Sequence, residues 1–375
     1  MKANKLFNLI LTAIFVVGIT QTGMSQDRFT KNFSVKKGDN LSVKVTGDVK
    51  VESWSKDEVY IEVSRLSKSA LEDLKVYQDG NTVSVQLKDS DGANFLIKTP
   101  EQFNHEVRTS GGDISFLGKF IGSVNGSTAG GDIVVETVKG NVSMSTAGGD
   151  IKTGDIDGDL KLTTAGGDIN VGTVSGEGKF ATSGGDITVA GANKSLKVST
   201  SGGDIKIGKV NGDISAATSG GDVEVGNVTG TAKLNTSGGD IKLGGAKGSA
   251  SVNTSGGDIK LENIYGSLKA NTSGGDVSAE LIPDGSDESK LSSSGGNITL
   301  LVPENAKATI EAVIKVHSKK DLKEKYKIAS EFKFDSYNVD EDEREIRGTI
   351  NLNGGGKTIK LTTSNSKIEI KKLNK

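Results

Sequence analysis

The stretch TSGGDI at residues 200–205 recurs eighteen residues later as TSGGDV at 218–223, and once more as TSGGDI at 236–241. Successive units are spaced by 19, then eight times by 18, and finally by 21 residues. The aligned positions are Asp113, Asp132, Asp150, Asp168, Asp186, Asp204, Asp222, Asp240, Asp258, Asp276 and Asn297. A period of this length indicates a stacked array of similar units.

The composition fits a repeat fold with a narrow core. The chain has 375 residues, of which 51 are glycine, and its hydrophobic share is only 34%. Few apolar residues and many glycines without a period would suggest disorder. Here the glycines are periodic, which favours regular turns at fixed places.

Each unit contains two short groups of alternating apolar residues. After Asp204, apolar residues stand at 205, 207 and 210, a glycine at 212, and apolar residues at 214 and 216. A period of two predicts strands, and no position recurs with helical spacing. One unit cannot bury its own apolar face, but stacked units can pair in parallel with their neighbours.

We therefore predict an all-β fold, a parallel β-solenoid (β-helix) with about 18-residue coils and irregular capping ends. The array from Thr109 to Ile298 makes about ten coils, on the order of 50 Å long at roughly 4.8 Å per coil. The apolar step at Val210 hints at a short third side, and a flat or a triangular cross-section stays open.

The TSGGD turn has a structural interpretation. The glycine pair predicts a corner with φ > 0, which glycine adopts without steric cost. Stacked threonines predict a ladder of hydroxyl groups, and the aspartate is expected to accept hydrogen bonds from backbone N–H groups.

The aspartate column is the feature of the repeat that could bind a ligand or take part in chemistry. Neighbouring carboxylates about 4.8 Å apart repel by roughly 0.9 kcal/mol even in water. Lysines two residues after the aspartate offset part of this, and a bound cation, calcium above all, is the alternative. The candidate column consists of Asp186, Asp204, Asp222, Asp240 and Asp258.

Two comparisons with known calcium motifs argue for the structural reading. The calcium repeat GGxGxDxUx has a nine-residue period and matches poorly. GDIDGDL at 154–160 resembles the start of an EF-hand loop, but Leu160 stands where glycine is required. In the repeat, Ile156 is the apolar corner residue and Gly158 marks the second turn.

The chain divides into four segments. Residues 1–26 are an expected export signal, with Lys2 and Lys5 before an apolar run and cleavage near Ser25 or Gln26. Residues 27–108 are a β-rich N-terminal cap with a short helix in SKSALEDLKVYQ at 67–78. Residues 109–298 are the regular solenoid, and 299–375 a C-terminal β cap. Each cap contains a degenerate form of the repeated turn, TGDVKV at 46–51 and TSNSKI at 363–368.

The chain resembles a known family in three places: the opening FSVKKG…LSVKVTGDVKV, the stacked TSGGDI units and the ending GGGKTIKLTTSNSKIEI. These are similar to the putative-adhesin β-strand-repeat proteins common in Bacteroidota. The resemblance covers nearly all of the chain after the expected signal. It implies an exported β-solenoid without established catalytic residues.

Charge and residue types narrow the function. The net charge of −2 gives no basic field for nucleic acid, and without cysteine there is no disulfide, thiol nucleophile or lipid-modified cysteine. The two histidines, His105 and His317, lie in opposite flanks, and the repeated carboxylates are equivalent, so no acid–base pair stands apart. We expect a protein that is not an enzyme and has no catalytic site or cofactor.

The expected role is adhesion or scaffolding in the periplasm, on the outer membrane surface or outside the cell. A cell-surface glycan or protein is the expected partner, and no stretch after the signal is expected to span the membrane. The alternatives are a carbohydrate-active β-helix enzyme and a calcium-stabilised solenoid. Trp54, the sole tryptophan, is expected to pack in the cap, with sugar stacking as its alternative.

Overall fold

The computed structural model describes residues 28–88, 92–285, 287–320, 322 and 325–373. The predicted export signal lies outside these residues. Among them, no helix is long and apolar enough to cross a membrane.

In the N-terminal flank, the described residues form eight strands and one helix. They are β1 (Phe29–Ser34), β2 (Asn40–Val45), β3 (Asp48–Trp54), β4 (Glu58–Ser64), α1 (Lys68–Asp73), β5 (Lys75–Asp79), β6 (Thr82–Gln86), β7 (Asn94–Pro100) and β8 (Asn104–Thr109). The helix is shorter than the predicted segment 67–78. Ser67 caps it by accepting a hydrogen bond from the N–H of Ala70, and β5 begins two residues after its end.

The regular array alternates a longer and a shorter strand. The longer strands are β9 (Ile114–Ile121), β11 (Ile133–Lys139), β13 (Ile151–Thr153) with β14 (Ile156–Asp157), β16 (Ile169–Val174), β18 (Ile187–Ala192), β20 (Ile205–Val210), β22 (Val223–Val228), β24 (Ile241–Ala246), β26 (Ile259–Ile264), β28 (Val277–Leu281) and β30 (Ile298–Val302). The shorter strands are β10 (Val124–Ser127), β12 (Val142–Ser145), β15 (Leu160–Thr163), β17 (Gly178–Ala181), β19 (Leu196–Ser199), β21 (Ile214–Ala217), β23 (Ala232–Asn235), β25 (Ala250–Asn253), β27 (Leu268–Thr272) and β29 (Ser289–Ser293).

The part of the C-terminal flank that the structure describes adds six strands. They are β31 (Ala308–Lys315), β32 (Ile328–Ser330), β33 (Ser336–Asp340), β34 (Glu345–Leu352), β35 (Thr358–Ser364) and β36 (Ile368–Lys372).

All described strands belong to two sheets, which we call sheet A and sheet B. Sheet A contains the longer strands and sheet B the shorter ones. Each strand of the array pairs in parallel with its equivalent one rung away; Ile205, for example, lies opposite Ile187 and Val223. The predicted parallel β-solenoid is therefore confirmed. Val210 continues sheet A by pairing with Val228, so the apolar step forms no separate third sheet.

The core lies between the two sheets. Each rung sends inward its apolar residues from sheet A, such as Ile205, Ile207 and Val210, and those from sheet B, such as Ile214 and Ala216. All are at most 3% exposed. Burial of a Val, Leu or Ile side chain contributes roughly 1.5–3 kcal/mol, and it is available only when neighbouring rungs cover both sides.

The order of rungs at both ends departs from the order of the chain. The rung β2–β3 lies between β6–β7 and β8–β9. The rung β35–β36 lies between β29–β30 and β31–β32. The ends of the regular stack are thus pinned by segments that are distant in sequence.

Antiparallel strands follow beyond these rungs. β4 and β1 extend sheet A at the N-terminal end, and β5 extends sheet B. At the other end, β34 and β33 extend sheet B. Such atypical ends limit growth of the stack by edge-to-edge pairing with other chains.

Candidate functional site

The threonine of each corner points into the core and satisfies the backbone of the turn. The hydroxyl of Thr218 donates to the carbonyl of Gly203, one rung back, at 2.9 Å, and accepts weakly from the N–H of Gly221 at 3.4 Å. The hydroxyl of Thr363 makes the equivalent bond to Gly296 at 2.7 Å. The corner threonines thus recur from rung to rung, and each hydroxyl donates to a glycine carbonyl of the neighbouring rung.

The second glycine of each pair is required by close stacking. Gly203 has no positive φ, so the predicted left-handed corner is wrong. A Cβ placed on Gly203 would lie 2.2 Å from the carbonyl oxygen of Gly185 and 2.5 Å from Oδ1 of Asp186. No side chain fits there, because the backbone of the next rung already occupies the space.

The aspartates form one continuous row along the outside of this corner. The N–H of Asp222 donates to Oδ1 of Asp204 at 2.8 Å, and the N–H of Asp240 donates to Oδ1 of Asp222 at 2.7 Å. The row runs from Asp48 to Asn297, whose Oδ1 accepts from the N–H of Lys367. Each carboxylate thus bridges two rungs, and this bond offsets the repulsion between neighbours.

The candidate calcium ligands Asp186, Asp204, Asp222, Asp240 and Asp258 all belong to this row; Asp240 is half-buried and the other four are exposed. Oδ1 of each accepts the N–H of the residue one rung on. Across the described part of the chain, no group of three or more His, Asp or Glu side chains has the arrangement of a metal site. Calcium binding by the column stays a prediction, taken up below with a titration.

The aspartates of GDIDGDL have the same structural role at the second turn. Oδ1 of Asp155 accepts from the N–H of Thr173 at 2.8 Å, and Oδ1 of Asp159 accepts from the N–H of Glu177 at 2.9 Å. Ile156 is buried between Val138 and Val174. These carboxylates are arranged along the stack and not around one point.

His105 lies in the core of the N-terminal flank. It is 1% exposed, its Nε2 is 2.9 Å from the hydroxyl of Thr99, and its ring packs against Phe103, Phe116 and Phe120. Burial lowers the pKa of His105 to about 3. The ring is therefore neutral at physiological pH, and its place in the core removes it from contact with a large substrate.

His317 and Trp54 also have local partners. Nδ1 of His317 contacts the amide of Asn365, whose Oδ1 accepts the N–H of His317. Trp54 is half-buried, donates from Nε1 to the carbonyl of Glu58 at 2.7 Å, and carries Lys56 over its ring. Trp54 thus packs within the N-terminal flank.

Lysines form columns on the outer faces of both sheets. On sheet A they are interrupted by carboxylates and partly paired: Lys206 lies 3.9 Å from Glu224, and Lys260 lies 3.0 Å from Glu262. On sheet B they follow a shallow groove of about 760 Å³. In five units a lysine stands eleven residues after the corner aspartate, outside the TSGGD turn. This second repeated position is the sequence signal for the lysines of sheet B.

Two in-register sheets joined by a repeated glycine corner define the molecule as a parallel β-solenoid. The chain belongs to the Toastrack DUF4097 family, whose model matches residues 38–209 and again residues 191–371. The two matches overlap at 191–209, where β18 and β20 pair without a break in register. They therefore cover one continuous stack.

Several solved structures resemble the chain at low identity. A "putative adhesin" from Bacteroides fragilis NCTC 9343 is 13% identical with a TM-score of 0.23, over 93% of this chain and 98% of that one. A "putative adhesin" from Parabacteroides distasonis ATCC 8503 is 16% identical with a TM-score of 0.36, over 65% and 96%.

A "putative lipid binding protein" from the same Parabacteroides strain is 12% identical with a TM-score of 0.22, over 93% and 97%. No curated protein matches the chain significantly. The relationship is therefore established by the family match.

Proposed function

We propose that the chain is an exported, non-catalytic β-solenoid that acts at the cell envelope or cell surface as an adhesin-like or scaffolding rod. The observation that carries this proposal is the equivalence of the corner aspartates. From Asp113 to Asp276, each corner aspartate makes the same bond to the next rung. A glycosidase needs two carboxylates in different environments, one to give a proton and one to attack or activate water.

The geometry of the stack suits a rod that presents a surface. Backbone hydrogen bonds run along the stack, from rung to rung, and the interlocked rungs at both ends resist fraying. Such a rod displays the same outward side chains at regular steps. Repetition of this kind favours extended partners, since each rung adds a further weak contact of the same type.

The proposed location is tested by fractionation with surface proteolysis. We expect a tagged chain in intact bacteria to separate with the envelope and to be released or cleaved by added protease. Recovery in the cytoplasm, with the apolar run of residues 6–19 still attached, would contradict export.

The proposed activity is tested by attachment and by product analysis. We expect a deletion strain to attach less to a glycan-coated surface, and the purified chain to release no sugar from envelope or host polysaccharides. Release of defined oligosaccharides by the purified chain would instead support the carbohydrate-active alternative.

A further inference from the structure

The outer face of sheet B carries a line of lysines, here called the lysine column. It occupies one register position from rung to rung, so that Lys161, Lys179 and Lys197 lie directly opposite one another. Serines occupy this position in two intervening rungs, at 215 and 251. The lysine column consists of Lys161, Lys179, Lys197, Lys233, Lys269, Lys290 and Lys360.

The members of the lysine column are exposed and have no carboxylate partner within 4 Å in the described part of the chain. On sheet A, by contrast, two of the outward lysines are paired, Lys206 with Glu224 and Lys260 with Glu262. Eight rung steps separate Lys161 from Lys360, so the column is about 38 Å long at roughly 4.8 Å per rung. Seven ammonium groups in one line repel one another and favour an anionic partner.

A neutral hydrogen-bonding column runs beside the lysine column, two residues further along each strand. Its central part is a ladder of amides: Nδ2 of Asn253 donates to Oδ1 of Asn235 at 3.0 Å, and Nδ2 of Asn271 donates to Oδ1 of Asn253 at 2.9 Å. The hydroxyl of Ser292 continues the ladder by donating to Oδ1 of Asn271. These groups offer donors and acceptors to hydroxyls without adding charge.

The opposite edge of the groove carries carboxylates in its N-terminal half. Asp159, Glu177 and Asp213 line the groove there. Asp159 and Asp213 are engaged through Oδ1 with the backbone of the next rung, at 2.9 and 2.7 Å. The last of these three carboxylates, Asp213, lies one rung before Lys233, in whose rung the amide ladder begins at Asn235.

We propose that the lysine column and the neighbouring amide ladder bind an extended acidic polysaccharide. Its carboxylate or sulfate groups lie against successive lysines, and its hydroxyl groups lie against the Asn and Ser side chains. No outward-facing residue of strands β10 to β29 in sheet B is aromatic. Single-stranded nucleic acid usually needs aromatic stacking in addition to a basic groove, so the face suits a sugar chain better.

The proposal names the ligand class of the surface protein and in that sense rests on the proposed function. Its test uses the purified full chain and polygalacturonate as the probe, with an uncharged galactomannan and a thymidine oligonucleotide as comparison ligands. We expect polygalacturonate to bind most tightly, and its binding to weaken steeply between about 50 and 200 mM salt, because the entropy gained by releasing condensed counterions falls as the salt concentration rises.

Two matched variants locate the site. The first replaces four members of the lysine column with glutamine: Lys197, Lys233, Lys269 and Lys290. The second replaces four lysines on sheet A with glutamine: Lys152, Lys206, Lys242 and Lys260. Both sets are exposed and remove the same charge.

We expect the first variant to bind polygalacturonate at least ~10-fold more weakly and to lose about 3 from the log–log salt slope, since it removes four charge contacts and each contributes roughly 0.7–0.9 on nucleic acids. The second variant should stay within about twofold of the parent if the contacts lie on sheet B alone. Unchanged circular dichroism is the control for folding in both.

Three results would overturn the proposal: absence of polygalacturonate binding, equal loss in both variants, or tighter binding of the oligonucleotide or the galactomannan. The cell experiments separate this failure from that of the proposed function. If the chain is surface-accessible and the first variant still supports attachment, the proposed function stands and the lysine column is not its site. If the purified chain binds polygalacturonate through the lysine column but is not exported, the proposed ligand class is retained and the proposed role at the cell surface is rejected.

Discussion

Replacement of Gly203 by alanine tests the physical reason for the glycine corner. The new Cβ would lie 2.2 Å from the Gly185 carbonyl oxygen, so the rungs must separate locally by about 1 Å to reach ordinary contact. That shift lengthens the bond from the Asp204 N–H to Asp186, now 2.7 Å. Overpacking lowers the free energy of unfolding by about 1–3 kcal/mol, and loss of the hydrogen bond lowers it by about 0.5–1.5 kcal/mol. Alanine also restricts the unfolded chain, which raises the free energy of unfolding by about 0.4–1 kcal/mol. We expect a net loss of about 2–3 kcal/mol.

Gly202→Ala is the matched control in the same turn. Its Cβ would lie 3.1 Å from the nearest atom, the carbonyl oxygen of Gly184, and small adjustments suffice. We expect a change within about 0.5 kcal/mol in urea unfolding followed by circular dichroism. Hydrogen exchange of the amides from 185 to 223 should rise in Gly203→Ala alone.

Gly203→Asn separates close approach from backbone handedness. Asparagine tolerates a left-handed conformation better than alanine does, so it would rescue a corner that needed φ > 0. If the constraint is instead the short distance from Gly203 to the Gly185 carbonyl, asparagine should be at least as destabilising as alanine. Equal stability of the Gly202 and Gly203 variants, or rescue by asparagine, would refute the reasoning.

Three further predictions concern the corner and the buried histidine. Thr218→Val leaves the Gly203 carbonyl without its hydroxyl partner and should lower the free energy of unfolding in urea by about 1–2 kcal/mol. Thr218→Ser keeps a hydroxyl and should retain most of this stability. Equal losses in the two variants would contradict the role of the hydroxyl. The pKa of His105 is about 3 in the folded chain and near 6.5 in the unfolded chain. Its contribution to stability is therefore complete above pH 6.5 and is lost as the pH falls towards 3. The free energy of unfolding should fall by up to about 1.4 kcal/mol for each pH unit in this window. His105→Phe should flatten this acid limb in thermal unfolding at several pH values, and an unchanged slope would contradict it. Millimolar calcium should move the Tm by less than about 1 °C, because Oδ1 of each column aspartate already accepts a backbone N–H; a rise of several degrees, reversed by a chelator, would instead support the cation column.

Much of the regular array could be predicted because its information is local and repeated. Alternation around Asp204 predicts which residues face inward, and Ile205, Ile207, Val210, Ile214 and Ala216 are indeed buried. The aspartate was expected to accept backbone N–H groups, and the row of bonds along the corner confirms this. The helix within 67–78 was predicted, but its end was not, since the residues from Lys75 onward pair with β6 as strand β5.

The role of the glycines could not be predicted from one unit. Glycine in a turn usually indicates a backbone with φ > 0. Such conformations do occur in the described residues, and five of them belong to residues other than glycine, Asn365 among them. At Gly203 the constraint comes from the carbonyl of another rung, eighteen residues away. Only the stack shows that distance, and the same holds for the threonine hydroxyl, which finds its partner across rungs.

By itself, the sequence determined the length of a rung, its two strands and the parallel stacking of equivalent residues, because a strict period leaves one register in which all apolar positions meet. The tertiary structure alone decided the order of the end rungs, the burial of His105 and the absence of ion pairs along the lysine column. These depend on contacts between segments far apart in the chain, such as β2 with β8 and β35 with β29. A repeat specifies how neighbours stack, whereas the ends are set by whichever distant strands cover the last exposed edges.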